Sequence, residues 1–348
     1  SMVYHDVRHW AVLVIWGAPF VFAPPIFSHD AYSYAAQGWL IHNGINPYSA
    51  GPGILPGAFA DQVAWVWRFT PAPYGPLSLQ IQHGLVDLMG HDPYLSALAM
   101  RLPAVLGVGL IGLLIPRIAR KLGTDAAFAA WFATLNPLLV IDFVGGAHND
   151  ALMMGLVVLA IWLALQHRWG WLPAAVVVGV AAAIKQPAFL AAYAVPLIGR
   201  PWESWHWREV ARTVLRVLVS FALAIATFAG LSVVTRLGFG WYNAVGVPGM
   251  VITVSPFTLL GQALQWMLDI WNLDPTGHNA IRYSRTLGLA IAGIVLTWLA
   301  LTVARRRPVT FLSWGYLAVA LAGPALHSWY VLWGGLLLPL TRPSERVV

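Results

Sequence analysis

The sequence contains no cysteine, and this absence excludes disulfide bonds, thiolate nucleophiles and cysteine-ligated metal sites. Charged side chains are scarce as well: they make up 9% of the 348 residues, compared with about 25% in an ordinary soluble domain. Hydrophobic residues account for 59% of the chain. A chain with so little charge and so much apolar surface is predicted to lie in a membrane.

Long apolar runs fill most of the chain. A helix that crosses a bilayer needs about 20 apolar residues, and runs of this kind lie near 10–27, 95–116, 126–143, 150–166, 209–235, 284–304 and 309–326. Less regular apolar stretches lie at 74–90, 171–198 and 328–340. Lipid admits only helices and closed barrels, and no stretch alternates as barrel strands do. The sequence therefore predicts an all-α polytopic membrane protein, with residues 1–348 as one transmembrane domain.

The first apolar run lacks a convincing small-residue cleavage site after it, so we expect a retained helix rather than a signal peptide. The net charge of +7 does not indicate a nucleic-acid partner, because the basic residues lie at alternate ends of the strong runs. The positive-inside rule assigns the larger set to the cytoplasm. That set is Arg8, Arg117, Arg120, Lys121, Arg168, Arg200, Arg208, Arg212, Arg216, Arg305, Arg306, Arg307, Arg342 and Arg346.

This orientation holds only if two of the less regular apolar stretches do not cross the membrane as single helices. Segment 74–90 must not cross the membrane and should form a re-entrant or interfacial helix. Segment 171–198 must enter and return as two short helices, broken near Lys185-Gln186-Pro187, because proline removes a backbone donor and clashes with the preceding turn. The far side of the membrane then contains the loop 28–94, the turn 143–150, the break at 185–187, the loop 236–283 and the turn 324–330.

Most of the chemically distinctive residues fall in these far-side segments: Asp30, Asp61, Asp142, His148, Asp150 and His327. Several of the far-side residues have a structural alternative. Asp30 is either a helix N-cap or a reactive carboxylate, and Asn149 or Asp150 could cap the next helix. Lys185 either snorkels to the interface or binds a ligand, since a buried cation is costly unless paired.

Four further positions also have two interpretations. Arg101 either faces lipid headgroups or binds an anion, and His327 is either an interface histidine or a site residue. Trp329 and Tyr330 suit an aromatic belt at the membrane interface, although aromatic faces also stack on sugars. The Pro- and Gly-rich stretches "GINPYSAGP" and "TPAPYGPL" predict a rigid loop.

The ordered motifs "DAYSYAAQG", "GINPYSAGP", "PAPYGPL", "NPLLVIDFVGGAHNDALM", "KQP" and "HSWYVLW" resemble one family across residues 10–340. They look like the polyprenyl-phosphomannose-dependent α-1,6-mannosyltransferases of actinobacteria, the MptA/MptB-type members of the GT-C superfamily. The resemblance implies a GT-C-type helix bundle whose long first external loop, about 28–94, carries juxtamembrane helices and the catalytic aspartate. Asp30 occupies that place. Family members are generally longer, so the chain is expected to be a short form or a fragment.

The resemblance also implies a reaction: inverting transfer of mannose from a polyprenyl-phosphate donor to a mannan or lipoglycan acceptor, through an α-1,6 linkage, at the external face of the plasma membrane. Asp30 would act as the base, while Lys185 and Arg101, with help from His327, would stabilise the departing phosphate. The remaining substrate-binding candidates are Tyr34, His148, Asn149, Asp150 and Tyr330. We expect no cofactor, and no metal, because the far-side carboxylates are scattered.

Two other classes of protein compete with this interpretation. Lys185 and Asp142 inside apolar segments would also suit a proton-coupled transporter or flippase. Transporters usually carry internal repeats, and the sequence shows none. A non-catalytic scaffold for envelope assembly is the third interpretation.

Overall fold

The computed structural model describes residues 8–25, 28–202, 204–244, 246–247, 253–273, 277 and 279–341. Arg342 and Arg346, assigned above to the cytoplasmic set, lie outside the described residues. The helices of the first half are α1 (His9–Phe22), α2 (Asp30–His42), α3 (Ala58–Asp61), α4 (Trp65–Arg68), α5 (Pro76–Leu88), α6 (Pro93–Ala99), α7 (Arg101–Leu122), α8 (Ala126–Thr134) and α9 (Asp150–Ala164). Those of the second half are α10 (Trp171–Ala182), α11 (Leu190–Ala194), α12 (Trp207–Val234), α13 (Trp241–Ala244), α14 (Pro256–Ile270), α15 (Asn279–Thr302), α16 (Pro308–Ala322) and α17 (Val331–Gly335).

Three helical segments among the described residues are long and apolar enough to cross a membrane: Pro93–Leu122, Trp207–Val234 and Asn279–Thr302. A fourth candidate is α8 with the π-helix Leu139–Gly145, which meet at a bend of 54°. The described residues form helices and loops without a strand. The predicted all-α polytopic membrane protein is therefore confirmed.

Several predicted spans are shorter or less regular than the apolar pattern suggests. The run 126–143 is not one helix, because Pro137 follows Asn136 at the point where α8 has ended. The runs 10–27 and 309–326 give helices of 14 and 15 residues, which end before Pro24 and Gly323-Pro324 respectively. Proline and glycine thus interrupt helices within stretches that remain apolar throughout.

The break expected in segment 171–198 is present, and it is hydrogen-bonded to the residues that lead into α5. Helix α10 ends at Ala182, Lys185 is extended, and a 3₁₀ turn covers Gln186–Phe189. The amide of Gly75 donates to the Ile184 carbonyl at 3.1 Å, and Leu77 donates to the Ala183 carbonyl at 3.0 Å. A Cβ at position 75 would lie 2.2 Å from the Ala183 oxygen, so only glycine permits this approach. The break is therefore held by the chain that leads into α5.

Helices α5 and α2 pack closely against each other. A Cβ on Gly38 of α2 would lie 2.5 Å from the Gln82 carbonyl oxygen of α5. With 13 residues, α5 is shorter than a membrane span, as the interfacial or re-entrant interpretation of 74–90 requires. The main core lies nearby, where α7 and α9 meet backbone to backbone through Gly107 and Gly155.

Candidate functional site

Asp30 is the first residue of α2, and its carboxylate turns away from the helix end. No side-chain capping bond is formed at this N-terminus. The Tyr34 hydroxyl donates to Oδ2 at 3.5 Å, and Nδ1 of His148 lies 3.3 Å from the same oxygen. The Asp30 side chain is 19% exposed. The structure thus disfavours the capping interpretation and places the carboxylate among side chains from distant segments.

The surroundings of Asp30 favour its ionised form. Burial raises the pKa of the Asp30 carboxyl, but the close contact with His148 and the charges of His148, His327 and Lys185 lower the pKa by more, so it lies below its ordinary value. The carboxylate is consequently charged at neutral pH and able to accept a proton.

His148 belongs to a stack of aromatic rings beside Asp30. Its ring centroid lies 3.7 Å from that of Trp329, which also stacks on His327 at 4.4 Å. His148 is 1% exposed, and neither of its ring nitrogens completes a hydrogen bond of good geometry. The preceding Ala147 has a φ of +55°, a strained value for alanine, which turns the chain sharply before α9. The turn and the stack together orient the imidazole towards Asp30.

A buried ion pair lies across from this stack. Lys185 Nζ contacts both carboxylate oxygens of Asp150 at 2.9 Å, and the indole of Trp333 donates to Asp150 Oδ1 at 2.7 Å. Asp150 is fully buried, whereas Lys185 is 12% exposed. The lysine also lies over the Tyr330 ring at 4.6 Å. Lys185 is therefore a paired cation rather than a snorkelling one.

One cavity of about 790 Å³ joins these groups. Asp30, Lys185 and His327 line its polar part, together with Tyr330. Its apolar part runs between α15 and α16 and is lined there by side chains that include Leu289, Leu296 and Val319. A ligand that fills this cavity would need a polar head and a long apolar portion.

Four other predicted site residues lie behind the side chains that line the cavity: Tyr34, His148, Asn149 and Asp150. Tyr34 and His148 contact Asp30 from the protein interior, and Asp150 contacts Lys185 in the same way. Asn149 is 9% exposed, and its side-chain nitrogen forms no hydrogen bond. None of these four is part of the cavity wall.

Arg101 requires a correction. Arg101 is 2% exposed, and its guanidinium donates to five backbone carbonyls. The acceptors are Val21, Ala23, Pro24, Val144 and Gly145. All five N–H donors of an arginine are thereby engaged. Arg101 ties α1 and the π-helix to α7, and it has no donor left for a phosphate.

Several cavity residues were not selected from the sequence. Ser33 and Gln37 lie three and seven positions after Asp30 on α2 and line the cavity with it; this helical spacing was the available signal. Trp333 follows Trp329 by one helical turn within the "HSWYVLW" motif, and both line the cavity. The apolar wall from α15 carries no distinguishing sequence signal, because any membrane helix has such residues.

These features define a class: an all-α membrane protein with a carboxylate and a paired lysine at one end of a cavity that continues between apolar helices. The family model for the N-terminal domain of α-(1→6)-mannopyranosyltransferases matches residues 2–200, and a model described as the MptB C-terminal domain matches residues 257–348. The chain belongs to the MptA/MptB family of α-(1→6)-mannopyranosyltransferases.

Curated relatives support this membership. The chain is 32% identical to α-(1→6)-mannopyranosyltransferase A of Mycobacterium tuberculosis, over 93% of this chain and 63% of the relative. It is 32% identical to a probable α-(1→6)-mannopyranosyltransferase of Mycolicibacterium smegmatis, over 96% and 65%. The Corynebacterium glutamicum enzyme A is 29% identical, over 90% and 66%. The chain thus spans a little under two thirds of these relatives. No solved structure matches it.

Proposed function

We propose that this chain is an inverting GT-C mannosyltransferase, which transfers mannose from polyprenyl-phosphate mannose to a mannan or lipoglycan acceptor through an α-1,6 linkage. The observation that carries the proposal is the cavity that joins Asp30 and Lys185 to an apolar groove between α15 and α16. A polyprenyl-phosphate sugar has the same division, with an anionic sugar head and a long hydrocarbon tail. The names of the relatives supply the sugar and the linkage.

Lys185 is the proposed phosphate contact. A lysine ammonium has three N–H donors, and both oxygens of Asp150 lie within hydrogen-bonding distance of it. The remaining donor can face the cavity, which Lys185 lines. A single strong donor beside the leaving group stabilises the negative charge that develops on the departing phosphate. Asp150 keeps the ammonium charged and in place without competing for the sugar.

Asp30 is the proposed base. Its contacts with Tyr34 and His148 both involve Oδ2, so Oδ1 is assigned to the acceptor hydroxyl. As that hydroxyl oxygen forms the bond to C1 of mannose, its proton passes to Asp30, and the bond from C1 to the phosphate oxygen breaks. The electron pair of that bond leaves with the polyprenyl phosphate. One displacement of this kind converts a β-linked donor into an α-linked product.

The proposed location of the site is the external face of the plasma membrane, with residues 28–94 as the external catalytic loop of a single transmembrane domain. Because the sequence contains no cysteine, a thiol reagent can label only the cysteine that a variant introduces. Ala58→Cys, at an exposed position of α3, should react with a membrane-impermeant maleimide on intact cells. Arg168→Cys, exposed between α9 and α10, should react only after lysis. The reverse pattern would contradict the external site.

The transfer assay tests the reaction itself. Purified protein with radiolabelled polyprenyl-phosphate mannose and an α-mannoside acceptor should yield a product that an α-1,6-specific mannosidase releases. A protein that moves the labelled donor across proteoliposome membranes without forming any glycoside would instead be a flippase. The proposal fails if purified protein with the expected fold makes no glycoside from donor and acceptor.

A further inference from the structure

A cluster of imidazoles surrounds one carboxylate where α2 and α5 end. His42 is the last residue of α2, His83 and Asp87 are one turn apart on α5, and His91 follows that helix. Asp87 Oδ1 lies 2.8 Å from His42 Nδ1 and 3.3 Å from His91 Nε2, and Oδ2 lies 3.2 Å from His83 Nε2. None of the four residues lines the cavity that contains Asp30.

The separations are near those of ligands that share one metal ion, except that the 2.8 Å between His42 Nδ1 and Asp87 Oδ1 is a hydrogen-bond distance and must lengthen when an ion binds. In tetrahedral zinc sites the imidazole nitrogens and carboxylate oxygens lie about 2.0–2.2 Å from the ion, and so about 3.3–3.5 Å from one another. One ligand atom each from His42, His83 and Asp87 all lie within 4.8 Å of one another. Small side-chain movements are sufficient to bring the three atoms to bonding distance of a common centre.

The His83 ring is held in position by Gln80. Gln80 Nε2 donates to the Thr235 carbonyl at 3.0 Å, so the amide oxygen is the atom that faces His83 Nδ1, at 3.3 Å. The Gln80 contact at Nδ1 is the kind of outer partner that orients a metal-binding histidine, and Nε2 of the same ring lies 3.2 Å from Asp87 Oδ2.

The other histidines are also held in position. The His42 ring stacks on Trp39, with centroids 5.0 Å apart and planes at 11°. His91 has a φ of +63° and follows Gly90, also at +63°, so two left-handed residues turn the chain back over the end of α5. A positive φ is uncommon outside glycine, and histidine is one of the residues that adopt it more readily. The turn places His91 against Asp87.

We propose that His42, His83 and Asp87 bind one divalent transition-metal ion of the zinc class, with His91 as an outer partner that orients Asp87. The two imidazoles favour zinc, copper or nickel over magnesium or calcium, which prefer oxygen ligands. Water completes the coordination. The ion ties the end of α2 to the end of α5, and α2 begins at Asp30. The scattered far-side carboxylates predicted no metal, whereas three of the four residues in this cluster are histidines.

Metal binding by the full chain tests the proposal, and no sugar transfer enters the measurement. Protein without a histidine tag is purified in detergent, stripped with EDTA, desalted and titrated with zinc chloride in a calorimeter. We expect one equivalent to bind with a Kd of about 10 µM or tighter, and the thermal midpoint to rise with added zinc. Cobalt(II) in the same site should give the visible absorption bands of a tetrahedral N/O complex.

Four variants separate this site from incidental zinc binding. His83→Gln and Asp87→Asn should weaken zinc binding at least tenfold, and His91→Ala should weaken it less. His167→Ala removes an exposed histidine between α9 and α10 and should leave the affinity unchanged. Thermal midpoints measured in EDTA show whether each variant is folded. The proposal is overturned if the parent protein binds no zinc at the concentrations used, or if folded His83→Gln and Asp87→Asn bind it as tightly as the parent.

Discussion

Asp30 and Asp150 are each the first residue of a helix, and their carboxylates have opposite surroundings. Asp150 is fully buried, and its oxygens receive Lys185 and the indole of Trp333. Asp30 is 19% exposed, contacts His148 through one oxygen and lines the cavity. A carboxylate whose acceptor positions are filled by a buried cation cannot take up a proton without breaking the pair. We therefore propose that Asp30 performs the chemistry and that Asp150 positions Lys185.

Replacing Asp30 gives the largest expected effect on turnover. Asp30→Asn keeps the shape and the contact with Tyr34 but cannot accept a proton at neutral pH. Transfer should fall by about 10²-fold to 10⁴-fold, with an unchanged thermal midpoint and donor affinity. Steady-state kinetics and thermal unfolding on the same sample measure both quantities. Asp61→Asn is the matched control, because this carboxylate lies in the same loop and is 67% exposed; it should be fully active.

The main expected effect of Asp150→Asn is a loss of stability. Removing one partner of a buried ion pair leaves an uncompensated charge, which costs about 3–5 kcal/mol, so the thermal midpoint should drop clearly. The double variant Asp150→Leu with Lys185→Met removes both charges and should recover most of that loss. It should not recover transfer, because the proposed phosphate contact is missing. A double variant as active as the parent protein would show that Lys185 has no role beyond pairing.

The sequence predicted the fold class well because membrane segments are recognised by composition alone. The break near Lys185 could also be predicted, since Pro187 cannot continue a helix. The bend at Pro137 was missed even though the same rule applies there, because apolar residues dominate both before and after Asn136-Pro137 and the stretch was taken as one run. Apolar patterning locates the membrane segments but does not show where they bend.

The site could be predicted only in part, because side-chain pairing across the chain depends on packing. Motif order pointed to Asp30 and Lys185, which the structure brings to one cavity. That Lys185 pairs with Asp150 follows from how α9 packs beside the break, and no local pattern shows it. The spacing of His83, Asp87 and His91 is visible in the sequence, but His42 joins them only when α2 packs on α5.

His148 should control the pH profile of Asp30. The pKa of the Asp30 carboxyl is lowered in the folded protein, so the active ionised form persists through neutral pH and is lost only as pH falls through that lowered value. In His148→Gln, the raising effect of burial remains without the lowering contact. The pKa of Asp30 should therefore rise, and the acidic limb of kcat/KM should move to higher pH.

His327→Gln is the comparison for this shift. His327 lowers the pKa of Asp30 through charge alone, whereas His148 is in close contact. The acidic limb should therefore move less in His327→Gln than in His148→Gln. Equal shifts would mean that the contact at 3.3 Å adds nothing specific. No shift in either variant would contradict the assignment of the acidic limb to Asp30.

The smallest expected effect concerns the apolar part of the cavity. Gly293 of α15 lines it, and a Cβ there meets no atom within 4 Å, so a larger side chain can enter the open space without strain. Gly293→Leu should occupy room that the proposed donor tail needs. KM for a long polyprenyl donor should rise by about fivefold to tenfold, equivalent to about 1 kcal/mol, while a water-soluble short-chain donor should be unaffected.

Gly230→Leu is the matched control for this substitution. Gly230 is an exposed glycine of α12 whose Cβ also meets no atom within 4 Å, and it does not line the cavity. KM for both donors should remain at the parent value in this variant. If Gly293→Leu raised KM equally for long-chain and short-chain donors, the groove between α15 and α16 would not be where the lipid binds. Asp30 and Lys185 would then need a donor path through another part of the cavity wall.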